Sequence, residues 1–217
     1  PHLGGRAIPV QTIFKYFPQL QPQKNAHNPF KPTSGGIKEI QQIFGREQEI
    51  KDIFEVLNSG SSAAIIGERG TGKTTLAHVI SATSHRHCVE LSAVTAGVKD
   101  VRDAMEGALA RLSDGGGATL LFLDEIHRFN KSQQDALLGA VEKGVIRLIG
   151  ATTENPSFEV NSALLSRCQV FTLNPLGKSE MEAMMKQALE KDLDLKKIQV
   201  ELQETDALLR ISGGDGR

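Results

Sequence analysis

The chain has 217 residues, and its 25 lysines and arginines nearly balance 26 aspartates and glutamates, which leaves a formal net charge of −1. This balance excludes a globally basic protein, so any contact with nucleic acid must come from a local patch or from assembly. No apolar run reaches the ~18 residues of a membrane span, and Cys88 and Cys168 are too few for a disulfide framework. We therefore expect a globular protein of a reducing compartment, without membrane partners.

Residues 1–38 are rich in Pro, Gln and Asn and lack a sustained apolar period, which predicts a flexible N-terminal extension. Within it, IFKYF (13–17) is similar to the hydrophobic part of the peptides that bind sliding clamps. Val10 stands where those peptides carry a glutamine. The alternative is an incidental apolar cluster that docks on the domain.

Helical spacing of apolar residues follows, and one face of the first predicted helix carries Ile50, Ile53, Phe54 and Leu57. Beyond it, short apolar runs alternate with helical stretches, which predicts an α/β fold with a parallel sheet and crossover helices. The run LLFLDE is apolar on both faces and indicates a buried strand. The predicted strands are 63–67, 87–93, 118–125, 145–153 and 168–173.

After Pro175 the pattern turns wholly helical. We therefore expect an α/β core over 39–175 and a second, smaller helical unit over 176–217.

The segment GERGTGKT (67–74) fits the phosphate-loop pattern G-x-x-x-x-G-K-[ST] and lies between a predicted strand and a predicted helix. Its glycines let backbone N–H groups face phosphate oxygens at a helix N-terminus. Lys73 is expected to reach the β- and γ-phosphates, and Thr74 to bind Mg²⁺. The alternative is a glycine-rich turn that contains a lysine by chance. The residues predicted to bind ATP are Gly67, Glu68, Arg69, Gly70, Thr71, Gly72, Lys73, Thr74 and Thr75.

Two carboxylates end the buried strand LLFLDE, at the sheet edge where the phosphate loop is expected. Asp124 is there expected to hold Mg²⁺ through water, and Glu125 to orient or deprotonate the attacking water. The alternative is a strand capped by acidic residues before the next helix. The following His127 and Arg128 either support this pair or simply begin that helix.

The next strand ends in two threonines, Thr152 and Thr153. A hydroxyl at this place suits the attacking water and the γ-phosphate, a role that we assign to Thr153 with Thr152 as the competitor. Two β-branched residues that merely suit a strand end are the alternative.

A lone arginine, Arg167, lies between a short helical run and the last strand. It can cap a helix, pair with a surface carboxylate or reach into a site. His85, His87 and Cys88 lack a fourth metal ligand at a sensible spacing, so we expect strand packing and surface histidines there rather than a metal site.

The segments LFLDEIHRFNKSQQDALLGAVEKG and LIGATTENPSFEVNSALLSRCQVF resemble the AAA+ ATPases called MgsA or RarA in bacteria and Werner helicase-interacting proteins in eukaryotes. The resemblance covers about residues 60–217. It implies a nucleotide-binding core with a helical lid, DNA-stimulated ATP hydrolysis at stalled replication forks and a ring-like homo-oligomer. The implied partners are forked DNA or junctions of single- and double-stranded DNA, with single-strand binding protein or a sliding clamp. The implied location is the cytoplasm and nucleoid of a bacterium, or the nucleus of a eukaryote.

The same resemblance implies roles for particular residues. Asp124 and Glu125 become the Walker B pair, and Thr153 is similar to sensor 1. Arg167 lies in a shared S-R-C motif, one short helix beyond sensor 1. It is expected on the far side from its own phosphate loop, where it acts on the neighbouring subunit, and Cys168 is expected to begin a buried strand. The terminal GGDGR is similar to sensor 2, which makes Arg217 the lid residue at the γ-phosphate.

The chain also departs from this family. Glu68 and Arg69 stand where the family usually has two prolines, and only Phe44 and Gly45 offer candidates for the adenine pocket. The oligomerisation helices expected after sensor 2 are absent, so the chain is expected to be a fragment with a truncated lid. A clamp-loader subunit is the nearest alternative, against which HRFNKSQQDALL argues. A nucleotide-gated scaffold without turnover is the other, against which Glu125 argues.

Overall fold

The structure is a computed structural model that describes residues 45–191 and 205–214. Within these ranges, no helix has both the length and the apolar character needed to cross a membrane. The predictions that lie outside the described residues concern the extension 1–38, the clamp-binding segment 13–17, Phe44 and Arg217.

Five parallel strands form a single sheet with the order β2-β3-β4-β1-β5. Every predicted strand is present with each end within one residue of its prediction, because alternating and continuous apolar runs mark half-buried and buried strands. The α/β fold class predicted from the sequence is confirmed. The strands are β1 Ser62–Gly67, β2 Cys88–Ser92, β3 Thr119–Asp124, β4 Ile146–Thr152 and β5 Cys168–Leu173.

Helices connect the strands and continue after the sheet. The fourth helix begins with a capping box, in which Asn130 and Gln133 each accept a backbone N–H of the other. Two one-turn helices follow β4 where the sequence indicated a single short helix, because Asn155 and Asn161 each cap a separate turn. The helices are α1 Glu47–Asn58, α2 Lys73–Thr83, α3 Val98–Ser113, α4 Lys131–Glu142, α5 Pro156–Glu159, α6 Ser162–Leu165, α7 Lys178–Lys191 and α8 Asp206–Ser212.

The sheet is the middle of three layers, with a separate apolar core on each face. Along β3 the side chains alternate, so that Leu120 and Phe122 enter one core while Leu121 and Leu123 enter the other. Helices α1 and α2 cover the first face, and α3 and α4 cover the second. Burial on both faces holds the carboxyl ends of β1, β3 and β4 next to each other, where polar side chains follow each strand.

The expectation that Cys168 begins a buried strand is wrong for the strand as a whole. Within the described residues β5 is an edge strand with only β1 as a neighbour, and Gln169, Val170 and Thr172 are exposed. The sequence CQVFTL mixes apolar with polar residues, a pattern that does not by itself separate an edge strand from a central one. The Cys168 thiol is nevertheless largely enclosed, and this burial raises its pKa to about 12, which makes it a poor nucleophile.

Candidate nucleotide site

The loop from β1 to α2 has a backbone shape that only glycine adopts easily. Gly70 and Gly72 have φ values of +86° and +88°, in the left-handed region where a side chain is strained. Because Gly72 is the N-cap of α2, the free N–H groups of the first helical turn begin directly after the loop. The glycine spacing in the sequence is therefore a requirement of this loop-to-helix geometry.

Side chains cross-link the same loop. Lys73 Nζ donates hydrogen bonds to the carbonyl oxygens of Gly67 at 2.6 Å and Glu68 at 2.9 Å. Thr71 Oγ1 donates to the Glu68 carbonyl at 2.9 Å as well. These bonds tie the loop at Gly67 and Glu68, and Glu68 is one of the two positions where the resembled family usually has prolines, so hydrogen bonding orders the loop there without proline.

The phosphate loop and the carboxylate pair line one cavity. Its volume is about 330 Å³, and it opens at the carboxyl edge of the sheet. The two motifs meet here because β1 and β3 are parallel strands that flank β4, so their carboxyl ends point to the same edge. The lining residues are Arg69, Gly70, Gly72, Lys73, Thr74, Thr75, Asp124 and Glu125.

The carboxylate pair gives this cavity its electrostatic character. Burial and the adjacent Glu125 carboxylate raise the pKa of Asp124, whereas the Glu125 backbone N–H and the Lys73 ammonium act in the opposite direction. Two carboxyl groups in partial burial favour a bound cation. The Asp124 carboxylate and the Thr74 hydroxyl are hard oxygen donors at one cavity wall, a donor set that fits Mg²⁺.

Glu125 has an unusual backbone conformation and defined side-chain neighbours. Its φ is +54°, which is uncommon for a residue other than glycine and is often found at functional sites. Thr153 Oγ1 donates to Glu125 Oε2 at 3.4 Å, and His127 Nδ1 lies 3.3 Å from the same oxygen. The Glu125 carboxylate is therefore oriented by Thr153, which directly follows β4, and by His127, which lies in the turn after β3.

The two threonines after β4 have different surroundings. Thr152 is fully buried and its Oγ1 lies 2.9 Å from His127 Nδ1 and accepts the Glu154 backbone N–H at 3.0 Å. Thr153 is partly exposed and faces Glu125. This geometry favours Thr153 over Thr152 for a role at the cavity.

Arg46 reaches the nucleotide side of the molecule, although the sequence analysis did not single it out. Its buried guanidinium donates to Glu49 at 3.0 Å, to the Thr71 carbonyl in the phosphate loop at 3.3 Å, and to the Asn174 carbonyl after β5. The only sequence signal was an arginine directly after Gly45, before the first apolar helix. Gly45 itself lies against Glu180 of α7.

Arg167 lies at the opposite edge of the sheet from the cavity. Its carbonyl accepts the backbone N–H of Ser62 at the start of β1, and the six residues of β1 span roughly 17 Å before the phosphate loop begins. The guanidinium contacts Glu142 Oε1 at 2.5 Å and the Ala163 carbonyl at 2.5 Å. Of the three roles open to this arginine, two are observed within the described residues: it caps the end of α6 at the Ala163 carbonyl, and it pairs with the surface carboxylate of Glu142.

The two histidines before β2 lie at the surface of the protein. His85 and His87 are exposed, and Cys88 is half-buried with its thiol close to the Ser81 and Arg86 carbonyls. In residues 45–191 and 205–214, no cluster of three or more possible metal ligands occurs.

A parallel sheet of this order, a phosphate loop after β1 and a carboxylate pair after β3 define a nucleotide-binding ATPase domain. The sequence model of the AAA family, the ATPase family associated with various cellular activities, matches residues 63–176, a little over half of the chain. The chain therefore belongs to the AAA family of ATPases.

Among curated proteins, replication-associated recombination protein A of Haemophilus influenzae is 44% identical over 173 residues. The protein of that name from Escherichia coli is 44% identical over 170 residues, which are 75% of this chain and 38% of that protein. The ATPase WRNIP1 of Dictyostelium discoideum is 52% identical over 129 residues, 59% of this chain and 15% of that protein. The chain thus spans 38% of the length of these bacterial relatives. The family resemblance predicted from the motifs is confirmed.

Solved structures of RuvB from Thermotoga maritima share the fold. A mutant form aligns with a TM-score of 0.63 and 26% identity over 83% of this chain and 62% of that chain. The structure described as a Holliday junction branch migration motor aligns with a TM-score of 0.53 and 26% identity over 70% of this chain and 53% of that chain.

Proposed function

We propose that this chain is the catalytic part of an Mg²⁺-dependent ATPase that works as a homo-oligomer on DNA at stalled replication forks. The observation that carries the proposal is the meeting of Lys73, Asp124 and Glu125 around one cavity, with Thr153 hydrogen-bonded to Glu125. The names of the bacterial relatives, which refer to replication and recombination, support the DNA substrate.

The residues divide the chemistry among them. The loop N–H groups and Lys73 hold the phosphates, while Glu125 accepts the proton of the attacking water and Thr153 orients that water. Asp124 and Thr74 would hold Mg²⁺, which would supply positive charge to neutralise the phosphates. Most of the rate comes from positioning and charge neutralisation, so these groups need no covalent intermediate.

The proposal requires a second subunit. Arg167 lies across the sheet from its own cavity, so its guanidinium serves the γ-phosphate of a neighbour rather than its own. A ring-like homo-oligomer satisfies this requirement for every subunit. We propose that Arg217, at the end of a helical lid over 176–217, approaches the γ-phosphate that is bound by its own subunit.

The partners follow from the same proposal. With a net charge of −1, DNA contact depends on the assembled ring rather than on overall charge. Forked DNA or junctions of single- and double-stranded DNA are the proposed substrates, with single-strand binding protein or a sliding clamp as further partners. Such a protein works in the nucleoid of a bacterium or in the nucleus of a eukaryote.

The test is the substitution Glu125→Gln in the full-length protein. Because glutamine keeps the shape but cannot accept the proton, turnover should fall by about 100-fold or more while ATP still binds. Calorimetry measures binding and phosphate release measures turnover. Glu106→Gln, which changes an exposed carboxylate of α3, is the matched control and should leave both unchanged. Unchanged turnover in Glu125→Gln would show that Glu125 is not the base, whereas ATP binding without turnover in the unsubstituted protein would favour the nucleotide-gated scaffold.

The same phosphate-release assay tests assembly and DNA. The specific rate should rise with protein concentration and rise further with forked DNA, because each site needs a neighbour's arginine. A rate that depends on neither concentration nor DNA contradicts the oligomeric, DNA-directed part of the proposal.

A further inference from the structure

We infer that His127 is a positioning residue for the proposed base: it holds Oε2 of Glu125 and leaves Oε1 to take the proton of the attacking water. The inference rests on the proposed function, since it assigns Glu125 as the base. It gives a role to His127, for which the sequence left two interpretations open: support of the carboxylate pair or the start of a helix.

The ring of His127 lies between the carboxylate and the core of the protein. His127 belongs to the 3₁₀ turn Ile126–Arg128 that directly follows the carboxylate pair. Its Nδ1 atom is 2.9 Å from Thr152 Oγ1 and 3.3 Å from Glu125 Oε2. The His127 side chain is only 12% exposed, and Thr152 is completely buried. The Nδ1 atom of His127 therefore contacts both Thr152 at the end of β4 and the carboxylate of Glu125.

The neighbours of Nδ1 determine where the imidazole proton is. Thr152 Oγ1 accepts the Glu154 N–H at 3.0 Å and has the Glu154 carbonyl, 3.4 Å away, as an acceptor for its own hydrogen. A remaining lone pair of Thr152 then accepts a proton donor, and the Glu125 carboxylate can only accept. Both partners therefore require N–H at Nδ1, which donates to Thr152 and presents its positive end to Glu125.

The same carboxylate oxygen receives the second contact. Thr153 Oγ1 donates to Oε2, the oxygen that faces His127. The two side-chain contacts described for the Glu125 carboxylate are both to Oε2, and the residue lines the cavity. The carboxylate is thus held through Oε2, which assigns the proton of the attacking water to Oε1.

Holding the carboxylate in this way has a kinetic consequence. A glutamate side chain has three rotatable bonds, and a base that must find its orientation after ATP binds loses rate rather than affinity. Removal of the His127 contact should therefore lower kcat for ATP hydrolysis without changing the binding of ATP. A histidine that only packs the 3₁₀ turn would instead change stability, or binding and turnover together.

The experiment compares His127→Asn with His127→Leu in the full-length protein. Asparagine keeps an N–H donor close to the position of Nδ1, whereas leucine fills the same space without a donor. We expect His127→Leu to lower kcat about tenfold with an ATP affinity within about twofold of wild type, and His127→Asn to recover most of that loss. Thermal melts of both variants show whether each is folded.

His127→Gln extends the test if leucine impairs folding. Its amide lies one bond further from the backbone, beyond the position of Nδ1, so it should behave like leucine in kcat despite being polar. Equal kcat values for asparagine, glutamine and leucine, or a wild-type kcat in His127→Leu, would overturn the inference.

The double variant His127→Leu/Glu125→Gln separates this inference from the proposed function. Since His127 acts through Glu125, the double variant should be no slower than Glu125→Gln alone. Retained turnover in Glu125→Gln means that the proposed function fails. Loss of turnover in Glu125→Gln with normal kcat in His127→Leu means that only the inference on His127 fails.

Discussion

At the carboxyl edge of the sheet, a phosphate loop after β1 and two carboxylates at the end of β3 line one cavity, and Thr153 after β4 bonds one of these carboxylates. At the amino edge, Arg167 precedes β5, and its guanidinium contacts the exposed Glu142, the Ala163 carbonyl and the Ser166 hydroxyl. The carboxyl edge thus holds the groups proposed to bind and orient, while the amino edge holds an arginine at the far end of β1 from the phosphate loop. Under the proposed function, the catalytic site is divided between two edges of the sheet that a second subunit would bring together.

The two edges also differ in how firmly their charged groups are held. Lys73 is buried and bonded to two loop carbonyls, so moving it would expose unsatisfied backbone groups. The side chains of Arg167 and Glu142 are 39% and 44% exposed, and such surface pairs contribute at most about 1 kcal/mol. Arg167 can therefore leave Glu142 for a neighbour's phosphate at little cost.

The largest effect is expected from a substitution at the carboxyl edge. Lys73→Ala should weaken ATP binding by at least about 100-fold, because it removes the ammonium that faces the phosphates and the loop cross-link. Isothermal titration with ATP measures the affinity. Lys143→Ala, at an exposed position just before β4, is the matched control and should bind ATP normally. Unchanged affinity in Lys73→Ala would refute the phosphate-loop assignment.

The next largest effect is expected from a substitution at the amino edge. Arg167→Ala should leave ATP binding intact and lower turnover about 1000-fold, because the guanidinium stabilises charge only in the transition state. Glu142→Gln is the control, since it removes the same ion pair but keeps the arginine, and should change turnover little. Normal turnover in Arg167→Ala would mean that this arginine does not serve a nucleotide site.

Oligomers that mix Arg167→Ala with Glu125→Gln subunits test whether the two edges of neighbouring subunits form one site. An Arg167→Ala subunit has an intact Glu125, and a Glu125→Gln subunit has an intact Arg167. Mixed oligomers should therefore regain part of the turnover that each variant lacks alone, measured as phosphate release at increasing mixing ratios. No recovery at any ratio would count against action on the neighbouring subunit.

The smallest expected effect on activity concerns Arg46, which joins the phosphate loop to the segment after β5. Arg46→Ala should lower the free energy of unfolding by about 2–3 kcal/mol, because two backbone carbonyls and Glu49 lose a buried donor. Urea unfolding measures this change, and ATP affinity should fall only a few-fold. Arg102→Ala, on the exposed side of α3, should change neither.

The strands and the short motifs were the features most accessible from the sequence. The strands were placed within one residue of their ends, because apolar periodicity is a local property that folding preserves. The edge position of β5 was missed, since an edge strand and a central strand differ only in how many neighbours they have. The phosphate loop and the pair Asp124–Glu125 were predicted because their chemistry requires fixed residue types at fixed spacing, and the structure places both at one cavity.

The residues that sequence reasoning missed or left undecided depend on contacts between distant segments. Arg46 acts on a loop 25 residues away and on Asn174, 128 residues away. Nothing local distinguishes it from any other arginine at the start of a helix. Likewise, His127 gains a role only because Thr152 lies 2.9 Å from its ring.

By itself, the sequence determined the α/β class, the order of the elements, the nucleotide loop and the family, because each of these depends on periodicity or on short contiguous motifs. Only the tertiary structure decided which threonine faces Glu125, how the carboxylate is held and on which edge Arg167 lies. Those properties depend on the side of a strand that a residue occupies and on which strands are neighbours. Both are settled by long-range packing of the sheet between its two layers of helices.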